Sequence, residues 1–142
     1  MQVRDVMTRE PFTVLPQTSV VDARAEMSRR RIRHLLVTEA DGLLMGIVTD
    51  RDIRLSLPSP ATSLSVWEVN YLLARLTVRE VKSKAVITID PDRDLRQAAR
   101  IMIDHTIGGL PVLEGRTLVG IVTDTDLLRA LATGVGDLAV AG

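Results

Sequence analysis

The chain contains no cysteine, which removes disulfides, zinc–thiolate sites and thiol nucleophiles from consideration. Aromatics are nearly as scarce. Phe12, Trp67 and Tyr71 are the whole set, too few for a platform on which single-stranded nucleic acid could stack. Neither sign of charge prevails, because 18 Lys and Arg balance 18 Asp and Glu. The basic footprint of a general DNA or RNA binder is therefore missing. No apolar run approaches the roughly 20 residues of a membrane-spanning helix. Arg4 and Asp5 near the N-terminus are followed by no signal-peptide apolar core. The two histidines, His34 and His105, stand at no metal-ligand spacing and beside no nucleophile motif. These absences lead to the expectation of a soluble, cytoplasmic protein with no nucleic-acid partner, no membrane contact, no metal, no catalytic residue and no required cofactor.

What is present is a repeat. Of 142 residues, 46% are hydrophobic and 25% charged, a globular composition sufficient for one domain or two small units sharing a core. Gly46-Ile47-Val48-Thr49-Asp50-Arg51-Asp52-Ile53 returns as Gly120-Ile121-Val122-Thr123-Asp124-Thr125-Asp126-Leu127, and internal repeats govern any fold assignment. Val3-Arg4-Asp5-Val6 matches Val78-Arg79-Glu80-Val81 at an offset of 75, which persists through Pro16/Pro91, Met27/Met102 and Val37/Val112 and falls to 74 at Gly46/Gly120. One residue is thus missing from the turn near Gly115, where a deletion is tolerated.

Each copy alternates its hydrophobic period. Phe12-Thr13-Val14 and Val86-Ile87-Thr88-Ile89 read as short strands ahead of a proline. A helix follows from Ser19 to about Arg31. In the second copy Asp94 and Gln97 resemble a capping box, ahead of an apolar stripe of Leu95, Ala98, Ala99 and Met102. Strands Leu35–Val37 and Leu110–Leu113 lead through Gly-containing turns to returning strands at Leu43–Val48 and Leu118–Val122, and final helices start near Asp50 and Asp124. The fold class is α/β (α+β): two β-α-β-β-α repeats, packed with pseudo-two-fold symmetry through their sheets. Each repeat has about 55 residues and buries its surface poorly alone. Such pairing would create two related clefts. The divisions are residues 1–57 for the first repeat, 58–77 for a linker, 78–133 for the second repeat, and 134–142 for a flexible tail. The linker breaks at Pro58-Ser59-Pro60-Ala61-Thr62-Ser63 and continues as a helix capped by Ser65 and Glu68. Its Trp67 and Tyr71, four apart on one face, either pack on their own domain or help form a dimer contact.

The recurring Gly-Ile-Val-Thr-x-x-Asp block has two compatible readings. Thr49 with Asp52, and Thr123 with Asp126, are capping pairs worth on the order of 1 kcal/mol that require no ligand. A helix N-terminus also suits phosphate, and a carboxylate one turn on can accept both hydroxyls of a ribose.

The duplicated units, the Asp5-Val6-Met7-Thr8 opening and both Gly-Ile-Val-Thr-x-x-Asp blocks resemble a tandem pair of CBS domains, or Bateman module, across about residues 3–133. The Pro58–Thr62 linker and the Trp67–Tyr71 helix further resemble the pair of acetoin-utilisation-type proteins. The resemblance implies a regulatory, ligand-sensing module rather than an enzyme. Its ligand would be adenosyl (AMP, ADP, ATP or S-adenosylmethionine), bound in the clefts between the repeats. By position, Asp52 and Asp126 would hold ribose hydroxyls, and Thr49 and Thr123 would contact phosphate or ribose. Thr13, Val14 and Pro16, with Thr88, Ile89 and Pro91, would border the base. Arg33 and His34 stand where family members reach phosphate, and Arg51 is a further candidate. The second copy has Gly108-Gly109 and Thr125 at these positions, and Lys82 where the first has Met7. The two sites are therefore expected to be unequal, with one favouring phosphorylated ligand. Arg29, Arg30 and Arg31 read instead as the solvated basic end of a helix. The resemblance also implies a homodimer and a regulated protein partner. The alternatives are a structural dimerisation module that binds no nucleotide, or a regulatory subunit of an enzyme on another chain.

Overall fold

The computed structural model describes residues 1–58, 63–83 and 85–133. The expected tail and most of the Pro58–Ser63 break lie outside them. Two compact units emerge, and their boundaries cut across the sequence repeats. One, the continuous unit, runs from Phe12 to Val86. The other, the composite unit, joins Met1–Pro11 to Ile87–Gly142.

The continuous unit holds β2 (Thr13–Val14), α2 (Val20–Arg30), β3 (His34–Thr38), β4 (Leu44–Thr49), α3 (Asp50–Ser56), α4 (Val66–Arg75) and α5 (Val78–Val81). Its sheet has the order β2-β3-β4, with β2 parallel and β4 antiparallel to β3. Ser19 caps α2 by accepting the Asp22 N–H, and Arg31 ends it in the left-handed region at φ 56°. Val20, Ala23 and Met27, at helical spacing, bury against Leu35, Val37, Val48, Ile53 and Val78. Apolar area removed from water there holds the helix to the sheet.

The composite unit holds α1 (Val3–Val6), β1 (Thr8–Arg9), α6 (Leu95–His105), β5 (Gly109–Glu114), β6 (Thr117–Thr123) and α7 (Asp124–Ala132). Its sheet has the order β1-β6-β5. Leu95, Ala98 and Met102 bury against Val3, Leu110, Val112, Val122 and Ala130. The residue lost near Gly115 leaves a short hairpin: Glu114 pairs with Thr117, and Gly115 takes φ 64°.

Two expectations need correction. Val86–Ile89 is not a strand but a single parallel bridge from Ile89 to Val112. The Ile89 N–H donates to the Pro111 carbonyl at 3.0 Å, and the Leu113 N–H donates to the Ile89 carbonyl at 2.9 Å. Pro111 faces the same neighbour with a nitrogen that carries no hydrogen, so the next rung, toward Ile87, cannot form. Leu36 occupies the matching place in the continuous unit and pairs with Thr13. Asp94 does cap α6, but through the Arg96 N–H, and among the described bonds Gln97 does not close a reciprocal box.

The sequence pattern signals neither the four-residue helices α1 and α5 nor the two-residue strand β1. α1 is seated by Val3 N–H to the Arg93 carbonyl (2.9 Å) and Arg4 N–H to the Pro91 carbonyl (3.0 Å). α5 is seated by Val78 N–H to the Thr18 carbonyl (2.9 Å) and Arg79 N–H to the Pro16 carbonyl (3.1 Å). The opening segment of each sequence copy thus belongs to the unit built by the remainder of the other.

Candidate functional site

In both units a returning strand runs straight into a helix, and a Thr–Asp pair stands at the junction. The Thr49 N–H donates to Asp52 Oδ2 at 2.9 Å, and the Asp52 N–H donates back to Thr49 Oγ1 at 3.1 Å. In the composite unit the same bonds join Thr123 and Asp126 at 2.8 and 3.3 Å, and Thr123 Oγ1 lies 3.1 Å from Asp126 Oδ2. These are complete capping boxes, so the helix-cap reading of the motif holds in full.

The capping boxes leave the two carboxylates differently disposed. Asp126 is buried at 7% exposure, and its Oδ1 lies 3.5 Å from Arg129 Nη1. Asp52 is half-buried. Its Oδ1 is engaged by no bond or ion pair among the described residues. The residue three further along α3 is Leu55, where α7 has Arg129.

The sheet ladders bring other sequence-predicted residues to this junction. His34 pairs with Thr49 across β3 and β4, and the Asp50 N–H donates to the Arg33 carbonyl at 3.0 Å. In the composite unit Gly109 pairs with Thr123, and the Asp124 N–H donates to the Gly108 carbonyl at 2.9 Å. Arg33 is exposed and His34 half-buried, while Arg51 is exposed in the first turn of α3. Thr13 and Val14 lie on the far side of β3, paired with Leu36 and Val37. Thr88 and Ile89 precede the loop that holds Pro91, and both Pro16 and Pro91 are buried. All the candidates of each set thus fall within one unit: Thr13, Val14, Pro16, Arg33, His34, Thr49, Arg51 and Asp52 in the continuous unit, and Thr88, Ile89, Pro91, Thr123 and Asp126 in the composite one.

The three arginines read as a helix end are occupied as such. Arg29 and Arg30 both reach Glu26, whose carboxyl they hold down at about 2. Arg30 also stacks on Phe12, 3.6 Å from the ring centre, and Arg31 is the left-handed cap.

Sequence reasoning missed why each block begins with glycine. A Cβ on Gly120 would stand 2.7 Å from the Thr8 carbonyl oxygen and 2.8 Å from Met7 Sδ. A Cβ on Gly46 would stand 2.8 Å from Lys82 Cδ and 3.2 Å from the Ser83 oxygen. Both glycines therefore admit the segment leaving a short opening helix, and the Lys82-for-Met7 difference puts an ammonium-bearing chain against β4 of the continuous unit alone. The signal was in the sequence as the recurring glycine, but nothing in the pattern named the partner. α4, for its part, packs on α2. It buries no residue fully and leaves Trp67 86% exposed.

Among the described residues, no helix is long and apolar enough to cross a membrane, and no cluster of three or more His, Asp or Glu could hold a metal ion.

Comparison with known proteins agrees with this geometry. The CBS domain model matches residues 3–59 and 78–133. A crystal structure of AcuB, assigned to acetoin utilization in Vibrio cholerae, is 32% identical with a TM-score of 0.79, covering 100% of this chain and 97% of that one. The CBS domain pair of protein MJ0100, solved in complex with 5′-methylthioadenosine and S-adenosyl-L-methionine, is 27% identical with a TM-score of 0.77, covering 94% of this chain and 97% of that one. The Methanocaldococcus jannaschii protein MJ1404 is 33% identical over 92% of this chain, which spans 32% of that protein's length. Two matched repeats over most of the sequence, each with its Thr–Asp junction, place this chain in the CBS domain family.

Proposed function

We propose that the chain is a ligand-sensing regulatory module in which each unit holds one adenosyl ligand: AMP, ADP, ATP or S-adenosylmethionine. The observation that carries this reading is the recurrence of the whole junction, not the motif alone. In both units a strand pair, a buried proline loop and a Thr–Asp pair are assembled on the same hydrogen bonds. A carboxylate beside a hydroxyl at such a junction offers acceptors to a ribose diol. The adenosyl ligands of the similar MJ0100 pair support the same class here. Asp52 and Asp126 would accept the diol, with Thr49 and Thr123 at ribose or phosphate. Thr13, Val14 and Pro16, or Thr88, Ile89 and Pro91, would border the base. The continuous unit adds Arg33, His34, Arg51 and Lys82 where the composite unit has Gly108, Gly109, Thr125 and Met7. We assign phosphorylated ligand to the continuous unit on that ground.

Binding would act by biasing packing, either within the chain or against a regulated protein partner. The exposed Trp67 and Tyr71 on α4 are the surface we assign to a homodimer contact. The cytoplasm is the compartment that suits nucleotide sensing by this chain.

A thermal-shift panel with AMP, ADP, ATP, S-adenosylmethionine and NAD tests the reading on protein stripped of co-purified ligand. A ligand at 100 times its dissociation constant stabilises by about 2.7 kcal/mol, so a shift of several degrees is expected with at least one adenosyl compound. The Asp52→Asn, Asp126→Asn double variant should melt near the parent temperature and lose that shift. No shift with any ligand, or a shift untouched in the double variant, would leave the two junctions as helix caps only.

A further inference from the structure

The two junctions differ in one contact that bears on which unit fills first. In the composite unit both oxygens of Asp126 are engaged: Oδ2 takes the Thr123 N–H at 2.8 Å, and Oδ1 faces Arg129 Nη1 at 3.5 Å. In the continuous unit Oδ2 of Asp52 takes the Thr49 N–H at 2.9 Å, and the place of Arg129 is taken by Leu55, an exposed side chain that carries no charge. A ribose diol arriving at Asp126 must share or displace a guanidinium, whereas one arriving at Asp52 meets an oxygen that no bond or ion pair among the described residues engages. Ion pairs between exposed groups contribute little. Here the carboxylate is buried and only the arginine is exposed, so the contact is screened less than a surface pair.

Resting on the adenosyl-sensing reading, we infer that Arg129 is a positioning residue that sets the order of filling. It holds Asp126 in a self-satisfied state, so the continuous unit binds adenosyl ligand first and the composite unit second. The chemistry competed for is the vicinal diol of the ribose, independent of any phosphate. Arg129 acts through Asp126 and need not touch the ligand. The composite unit would respond only at higher ligand concentration, giving one small chain two thresholds.

The test uses adenosine, which has the diol and no phosphate, and 2′,3′-dideoxyadenosine, which has neither. Titration calorimetry on the stripped full chain should resolve two unequal sites for adenosine. Asp52→Asn should remove the tighter one. In that background Arg129→Leu should tighten the remaining site about fivefold, as expected for loss of one competing ion pair. Conversely, Leu55→Arg in an Asp126→Asn background should weaken the site of the continuous unit by a similar factor. Neither arginine change should alter what binding 2′,3′-dideoxyadenosine retains, and melting temperatures of all variants establish that the fold persists. The order is overturned if Asp52→Asn removes the weaker site, if Arg129→Leu leaves adenosine affinity unchanged or lower, or if the dideoxy compound shows the same gain. Absence of binding by adenosine and by every adenosyl nucleotide in the parent chain would overturn the sensing reading itself, and the filling order with it.

Discussion

The continuous and composite units seat their opening helices on the same backbone bonds, with every donor and acceptor displaced by 75 residues. Val3 to Arg93 becomes Val78 to Thr18, Arg4 to Pro91 becomes Arg79 to Pro16, and Leu95 to Met1 becomes Val20 to Leu76. The bridges Gln2–Asp94 and Ser19–Thr77 match in the same way. The side chains around this shared frame do not match. Arg4 pairs with Asp92 in the composite unit, whereas Arg79 has Gln17 in that place. Glu26, clamped by two arginines, has Ile101 as its counterpart. Backbone bonds can be met by almost any sequence and so recur. The side chains carry the differences between the sites.

The likeness of the two cores can be broken most severely by truncation. Leu35 and Leu110 are fully buried equivalents in β3 and β5. Leu35→Ala and Leu110→Ala should each cost about 3 kcal/mol, the middle of the range for a buried leucine, and denaturant titration should find the two within error of each other. A clear inequality would mean that one core relaxes around its cavity and the other does not.

The glycines should behave less evenly. At Gly120 the new methyl meets the Thr8 carbonyl oxygen, part of a paired strand, whereas at Gly46 its nearest neighbour is the flexible Lys82 chain. Gly120→Ala should therefore destabilise by about 2 kcal/mol and Gly46→Ala by about 1 or less, since overpacking costs depend on what can move. Equal melting temperatures for the two variants would show that β1 yields as readily as a lysine side chain.

The smallest effect belongs to Glu26, which only the continuous unit has. Its carboxyl lies at about 2 instead of the ordinary 4.5, because Arg29 and Arg30 hydrogen-bond it and favour the charged form. A lowered carboxyl contributes stability that is fully present above the unfolded value and disappears as pH falls through the folded one. Glu26→Gln should therefore be slightly less stable than the parent at pH 7. The difference should shrink between pH 5 and pH 2, as melting curves across that window would record.

Much of this was legible in the chain. Helix α2 could be bounded from Ser19 and the run to Arg31, and the Thr–Asp boxes from their spacing alone, because caps are local and their residue chemistry is specific. β3 to β6 followed from short apolar runs around glycine turns. Where the reading failed, the deciding contact was remote or lay on the backbone. The strand at Val86–Ile89 was lost to a missing N–H on Pro111, more than 20 residues away in the chain. The helices α1 and α5 have four residues each, too short to show a periodic face. Arg129 is the exception, since it stands three residues from Asp126 on one helix, a spacing at which side chains meet, and only its distance to Oδ1 distinguishes it from an ordinary helical arginine.

The amino-acid sequence by itself determined that the molecule is made twice over, where each strand meets its helix, and that both junctions carry a hydroxyl and a carboxylate. These follow from residue type at short range, through periodicity, capping and turns. Tertiary structure alone decided which opening segment completes which unit. Each copy offers the same donors to the same acceptors, so local chemistry cannot choose between docking on its own copy and docking on the other.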